Sequence, residues 1–105
     1  MHADDRLTVT VGRLVGQIGH WTPSRWAASG ASGVPRGDTV HALVQWFADR
    51  CADAEGRAHL PVPRLDNDLA LPDQLKVVAA DLARFGGPAL VDEAADKVRA
   101  VRGQL

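Results

Sequence analysis

The stretch LPDQLKVVAADLARFGGPALV, residues 71–91, decides the fold class of this chain. Its apolar residues recur at every third or fourth position, which is the period of an α-helix with one buried face. Pro72 suits the first turn of such a helix, and the glycine pair 86–87 followed by Pro88 ends it and begins another. The stretch therefore predicts two helices joined by a very short turn, a C-terminal helical hairpin.

The same period predicts a first long helix over about residues 5–20. A strand at 7–11 is the alternative, because Leu-Thr-Val-Thr-Val alternates with period two, but the helical period continues for ten further residues. Glycines interrupt this helix and weaken it, so it needs tertiary packing to persist. They form a stripe beside the apolar face that would let another helix approach closely: Gly12, Gly16 and Gly19.

Two more helices are predicted in the middle of the chain. Thr22 and Pro23 make an N-cap and a first helical residue, which start a turn of helix through about Ser29. Asp38 is expected to cap a long helix that ends near Ala54.

The connections between these helices indicate one domain. The Gly- and Ser-rich loop at about 30–37 is expected to be exposed and mobile, and about 55–71 is an irregular apolar connection expected to pack along the domain. A chain of 105 residues is long enough for one domain and too short for two. The prediction for 1–105 is a single all-α domain, a small bundle of four main helices plus one short helical turn.

Composition excludes several classes of function. The net charge is −1, which gives no general attraction to nucleic acid or anionic membrane. No apolar stretch is long enough to span a bilayer, and the first residues lack the pattern of a signal peptide. Because no such stretch exists, we expect no membrane association. The single cysteine cannot form an internal disulfide, so we expect the protein to reside in a reducing cytoplasm.

The residues that could carry chemistry are scattered. The histidines and Cys51 show neither the i, i+4 spacing nor the paired cysteines of metal sites, so no metal and no cofactor are predicted. Cys51 lies on the apolar face of its helix, where a thiol is inert packing. No catalytic residue is predicted, which leaves the assignment as an enzyme open. Nucleic-acid binding is not expected, because the last helix begins with acidic residues that would repel phosphates: Asp92, Glu93 and Asp96.

The tryptophans are the remaining candidates for a binding site. Trp21 and Trp26 could close one end of the bundle, whereas Trp46 falls off the apolar face of its helix, one turn from Arg50. A partly exposed aromatic patch could bind a protein partner, a second copy or a flat ligand. The candidate partner- or ligand-binding residues are Trp21, Arg25, Trp26, His41, Trp46 and Arg50.

Three hypotheses follow. The first is a small intracellular helical module that binds a protein partner or forms a homo-oligomer. The alternative is a small-ligand-binding or catalytic domain with a pocket between the tryptophans and the 55–71 segment. The third is a DNA-associated regulator.

Overall fold

The computed structural model describes residues 3–105, with side chains described from Asp5 onward. Over this range it confirms an all-α bundle of four long helices and one short helix. Met1 and His2, on which the expectation of no signal peptide partly rests, lie outside the described residues. The helices are α1 (Ala3–Ile18), α2 (Pro23–Ala27), α3 (Arg36–Ala54), α4 (Leu71–Phe85) and α5 (Gly87–Gln104), and a 3₁₀ turn at Asp68–Ala70 precedes α4.

The four long helices bury one apolar stripe each in a common core. Packing is most extensive between α1 and α5 and between α3 and α4, and α1 also lies against α4. The consecutive helices α4 and α5 are joined directly at Gly86, as the double glycine predicts, but they touch each other less than they touch these other helices. The largest fully buried side chains are Trp26, Phe47, Leu7, Leu14, Ile18, Leu43, Leu71, Leu75 and Leu82.

The start of α3 differs from the prediction. Thr22 does cap α2, since its hydroxyl accepts a hydrogen bond from the Arg25 N–H at 3.3 Å. Asp38 as the cap of α3 was wrong, because the helix begins at Arg36, directly after Pro35. Pro35 occupies the N-cap position, and because a proline side chain has no acceptor, α3 begins without a side-chain cap. The carboxylate of Asp38 instead accepts a hydrogen bond from Arg64 at 3.0 Å.

The glycines of α1 are helical, so the alternative of a strand at 7–11 was wrong. A Cβ added at Gly12 or at Gly16 would meet no atom within 4 Å, and no other helix of the described chain approaches closely there. Gly19 follows the end of the helix. Gly12 and Gly16 therefore face open space.

The two connections are held by hydrogen bonds. In the loop between α2 and α3, the Gly30 N–H donates to the Val34 carbonyl at 2.9 Å and the Ser32 N–H donates to the Gln104 carbonyl at 3.4 Å. The irregular connection runs from Glu55 to Asn67 without helix or strand, and we call residues 55–67 the strap. Within residues 3–105, no helix is long and apolar enough to cross a membrane.

We expect Gly12→Ala to raise the free energy of unfolding by about 0.5–1 kcal/mol, because alanine favours the helix and the added methyl has room. Gly30→Ala should lower it, because a Cβ at residue 30 would lie 2.6 Å from the Gln104 carbonyl oxygen. Urea unfolding of the two variants measures both changes. Equal effects on stability would contradict this account of the two glycines.

Candidate functional site

Trp21 and Trp26 form the closed end of the bundle. Their rings meet edge to face with centroids 4.9 Å apart, and Trp26 is 1% exposed while Trp21 is 8% exposed. The guanidinium of Arg25 lies 5.3 Å from the centroid of Trp21, and that of Arg36 lies 5.8 Å from it. Arg36 also donates to the Leu105 carbonyl at 3.0 Å, which ties the last residue to this end. These two rings therefore act as core anchors under a cover of arginine.

Trp46 lies elsewhere on the molecule. Its ring is half-buried, packs edge to face against Phe47 at 5.4 Å, and is flanked by Arg50 at 5.7 Å and by Lys97 of α5 at 5.9 Å. Ten residues separate Trp46 from Arg36 along α3, which is about 15 Å of helix. The chain's own cationic side chains thus cover part of the tryptophan that the sequence places off the core face.

His41 has a third set of neighbours. Its Nε2 lies 3.1 Å from the Val62 carbonyl oxygen, in the strap. The six candidate residues are therefore divided among three places: the Trp21 end, the Trp46 surface and the contact of α3 with the strap. The structure does not bring them together into one aromatic patch.

The strap is fastened to α3 and α4 by side-chain amides. Gln45 donates from Nε2 to the Leu60 carbonyl at 3.1 Å and accepts from the Val62 N–H at Oε1 at 2.7 Å, so one amide pairs with two backbone groups. Gln74 donates to the Pro63 carbonyl at 3.4 Å. At its far end, Arg64 bridges Asp38 and Asp68. Val62 is the partly buried residue of the strap, and both its N–H and its carbonyl have a side-chain partner, Gln45 and His41.

Four aliphatic side chains of the strap and of the helical turns that follow it are exposed, and together we call them the strap face: Leu60, Leu65, Leu69 and Val77. Leu60 is 69% exposed and Val77 is 62% exposed, while Val62 packs against the core. A groove of about 410 Å³ separates Leu65 and Val77, and its other lining residues are Val44, Val62, Ala70, Asp73, Gln74 and Val78. The sequence predicts that this segment packs along the domain, but it does not show which of its leucines point outward.

A smaller cavity lies where the alternative hypothesis places one. Its volume is about 210 Å³, and it is lined by Pro23, Trp26 and the turn at 66–68. The indole N–H of Trp26 is buried and has no hydrogen-bond partner within residues 3–105. A buried donor without an acceptor is costly, so this N–H is a place where a ligand oxygen could gain a hydrogen bond.

The Cys51 thiol and the Asp53 carboxylate lie outside this cavity, and neither is a strong nucleophile. Burial, with smaller contributions from Asp81 and Glu55, raises the pKa of the Cys51 thiol and disfavours the reactive thiolate. The pKa of Asp53 lies below its ordinary value, chiefly because the His59 ring donates a hydrogen bond to its carboxylate at 2.6 Å. In the described part of the chain, no group of three or more His, Cys, Asp or Glu side chains could hold a metal ion.

The chain matches no known family model, no curated protein and no solved structure.

We expect Gln45→Ala to loosen the strap, because the substitution removes both backbone contacts and leaves the Val62 N–H without its acceptor. The free energy of unfolding should fall by about 1–3 kcal/mol. Hydrogen exchange at the Val62 amide should accelerate while the amides of α1 stay protected. Gln17→Ala, at an exposed position of α1, is the matched control. Unchanged exchange at Val62 would show that Gln45 does not hold the strap.

Proposed function

We propose that this protein is a small intracellular helical module that binds a protein partner through the strap face. The observation that carries the proposal is an apolar groove whose walls include two exposed aliphatic side chains, Leu65 and Val77, with Leu60 and Leu69 exposed in the same part of the chain. Contiguous exposed apolar surface is costly in water, and on soluble proteins it marks interaction sites. Scattered single residues would carry no such meaning.

The groove also indicates the chemistry of its partner. Its walls are aliphatic, so the partner should present aliphatic or aromatic side chains. Asp73 lines the groove and lies 3.9 Å from the Lys76 ammonium, but its side chain is 84% exposed, so its carboxylate can also accept a basic residue of the partner. The Oε1 of Gln74 is buried without a hydrogen-bond partner within the described residues, so an N–H donor from the partner would satisfy it.

The backbone under this surface supports a stable site. Val62 and the amide contacts of Gln45 hold one wall, and α4 forms the other. A preformed groove loses little conformational entropy on binding, which favours affinity. An apolar segment of another protein is the proposed occupant, and a second copy of this chain is the other outcome of the test.

Leu65→Glu and Val77→Glu test the proposal, because each puts a charge on a wall of the groove without disturbing the core. Both side chains are exposed, so stability should change by no more than about 0.5 kcal/mol. Retention of partners from a native cell extract, measured with immobilised protein, should fall at least about tenfold, which corresponds to about 1.4 kcal/mol. Val34→Glu, at a similarly apolar exposed site in the α2–α3 loop, is the matched control.

Sedimentation velocity over a range of concentrations distinguishes the two occupants. A dimer that both glutamate variants dissociate identifies the second copy. The proposal is contradicted if the chain stays monomeric and the two groove variants retain the same partners as Val34→Glu does.

The cavity beside Trp26 supports a second candidate function, the binding of a small ligand. The supporting observation is the unpartnered indole N–H, which would donate to a ligand oxygen. In a metabolite screen followed by ¹H–¹⁵N spectra, a bound ligand should shift the Trp26 indole proton downfield and leave that of Trp46 unchanged. A screen in which the Trp26 signal never moves would rule against this candidate.

A further inference from the structure

The arginines of this chain divide into two groups. Seven of the ten have a described side-chain partner: a carboxylate, a carbonyl or an aromatic ring. Arg13, Arg99 and Arg102 have no such partner within residues 5–105. All three of them line the same cavity, of about 280 Å³, between α1 and α5. Free guanidinium groups are ordinary on a protein surface. Three of them around one cavity whose lining holds no carboxylate concentrate positive charge at that place.

The packing of α1 on α5 builds this cavity. Arg99 and Arg102 are one turn apart on α5, so their side chains share a face of that helix. Arg13 reaches the cavity from α1. About two turns before Arg13 on α1, Arg6 lines the other end of the cavity and is held by Asp92 and Asp96 of α5, with its Nη1 3.3 Å from the Asp92 carboxylate. Asp92 and Asp96 are thus paired with Arg6 at one end of this helix pair, and the three unpaired arginines lie at the other end.

We propose that this arginine cavity binds a small phosphate-bearing anion. Guanidinium groups form paired hydrogen bonds to phosphate oxygens, and such charge-assisted bonds are about twice as strong as neutral ones. Three positive charges match the two or three negative charges of a phosphate monoester or of pyrophosphate. Val9 also lines the cavity and is 42% exposed, so it can contact an organic group attached to the phosphate.

The surroundings favour a small anion over a nucleic acid. A phosphate backbone long enough to leave the cavity along α5 would meet Asp92, Glu93 and Asp96, and like charges would repel it. The net charge of −1 gives no further attraction for a polyanion. At the acidic end, the carboxylates of Asp92 and Asp96 are paired with Arg6, and a compact ligand can contact the three free guanidinium groups at the other end of the cavity.

Isothermal titration of the full chain at low ionic strength, with inorganic pyrophosphate and with phenyl phosphate, tests the proposal. Low salt limits screening of the exposed charges. We expect a dissociation constant of roughly 1 mM or tighter for at least one probe. Arg13→Gln and Arg99→Gln should each weaken binding about tenfold, and Arg99→Lys should weaken it less because it keeps the charge. Tighter binding of phenyl phosphate would show that an attached organic group contributes.

Arg84→Gln is the matched control, since it removes the same charge from an exposed helical position outside the cavity. It should leave the affinity unchanged, and the melting temperatures of all variants verify that they fold. The proposal is overturned if neither probe binds below about 10 mM, or if Arg84→Gln weakens binding as much as Arg99→Gln does. It is also overturned if a short DNA duplex binds more tightly than both probes and depends on the same arginines.

Discussion

Burial of the apolar face of α1 is the interaction on which the rest of the bundle depends. Gly12 and Gly16 lower the helix propensity of this segment, so α1 has little tendency to form alone. Leu7, Leu14 and Ile18 are fully buried, and they hold the helix against α4 and α5. Because α1 lies against both, it links two consecutive helices whose own mutual contact is slight.

The hydrogen bonds that hold the strap on α3 and α4 decide which of its side chains are exposed. Its backbone forms neither helix nor strand, and side chains of the helices beneath it pair several of its polar groups. Gln45 and Gln74 supply that pairing, and Val62 supplies the inward apolar contact. The backbone direction set by these contacts turns Leu60 and Leu65 outward. An apolar face on the outside is thus the consequence of fastening the segment from the inside.

Charge is arranged differently on the α1–α5 side of the molecule. Ion pairs at Arg6 neutralise the acidic beginning of α5, and the arginines further along the same helices stay free. The chain as a whole is nearly neutral, so this separation exists only on the scale of one helix pair. An apolar groove and a basic cavity built from different elements suit two ligands of unlike chemistry.

The sequence by itself determined the helices, because the period of apolar residues, the Thr22 cap and the double glycine act over one or two turns. It also showed Arg50 one turn from Trp46. It missed the true start of α3, where Pro35 occupies the N-cap position and no side chain caps the helix. It grouped Trp21, Trp26 and Trp46 as one candidate site, although Trp21 and Trp26 pack together at the start of α3 and Trp46 lies about 15 Å further along that helix.

Only the tertiary structure decided which leucines of the strap are exposed and which arginines share a cavity. A helical period states which face of each helix is apolar, but it does not state which helices become neighbours. Arg13 and Arg99 are distant in sequence and meet because α1 packs on α5. The strap has no period at all, so its side chains take their directions from long-range hydrogen bonds that no local pattern encodes.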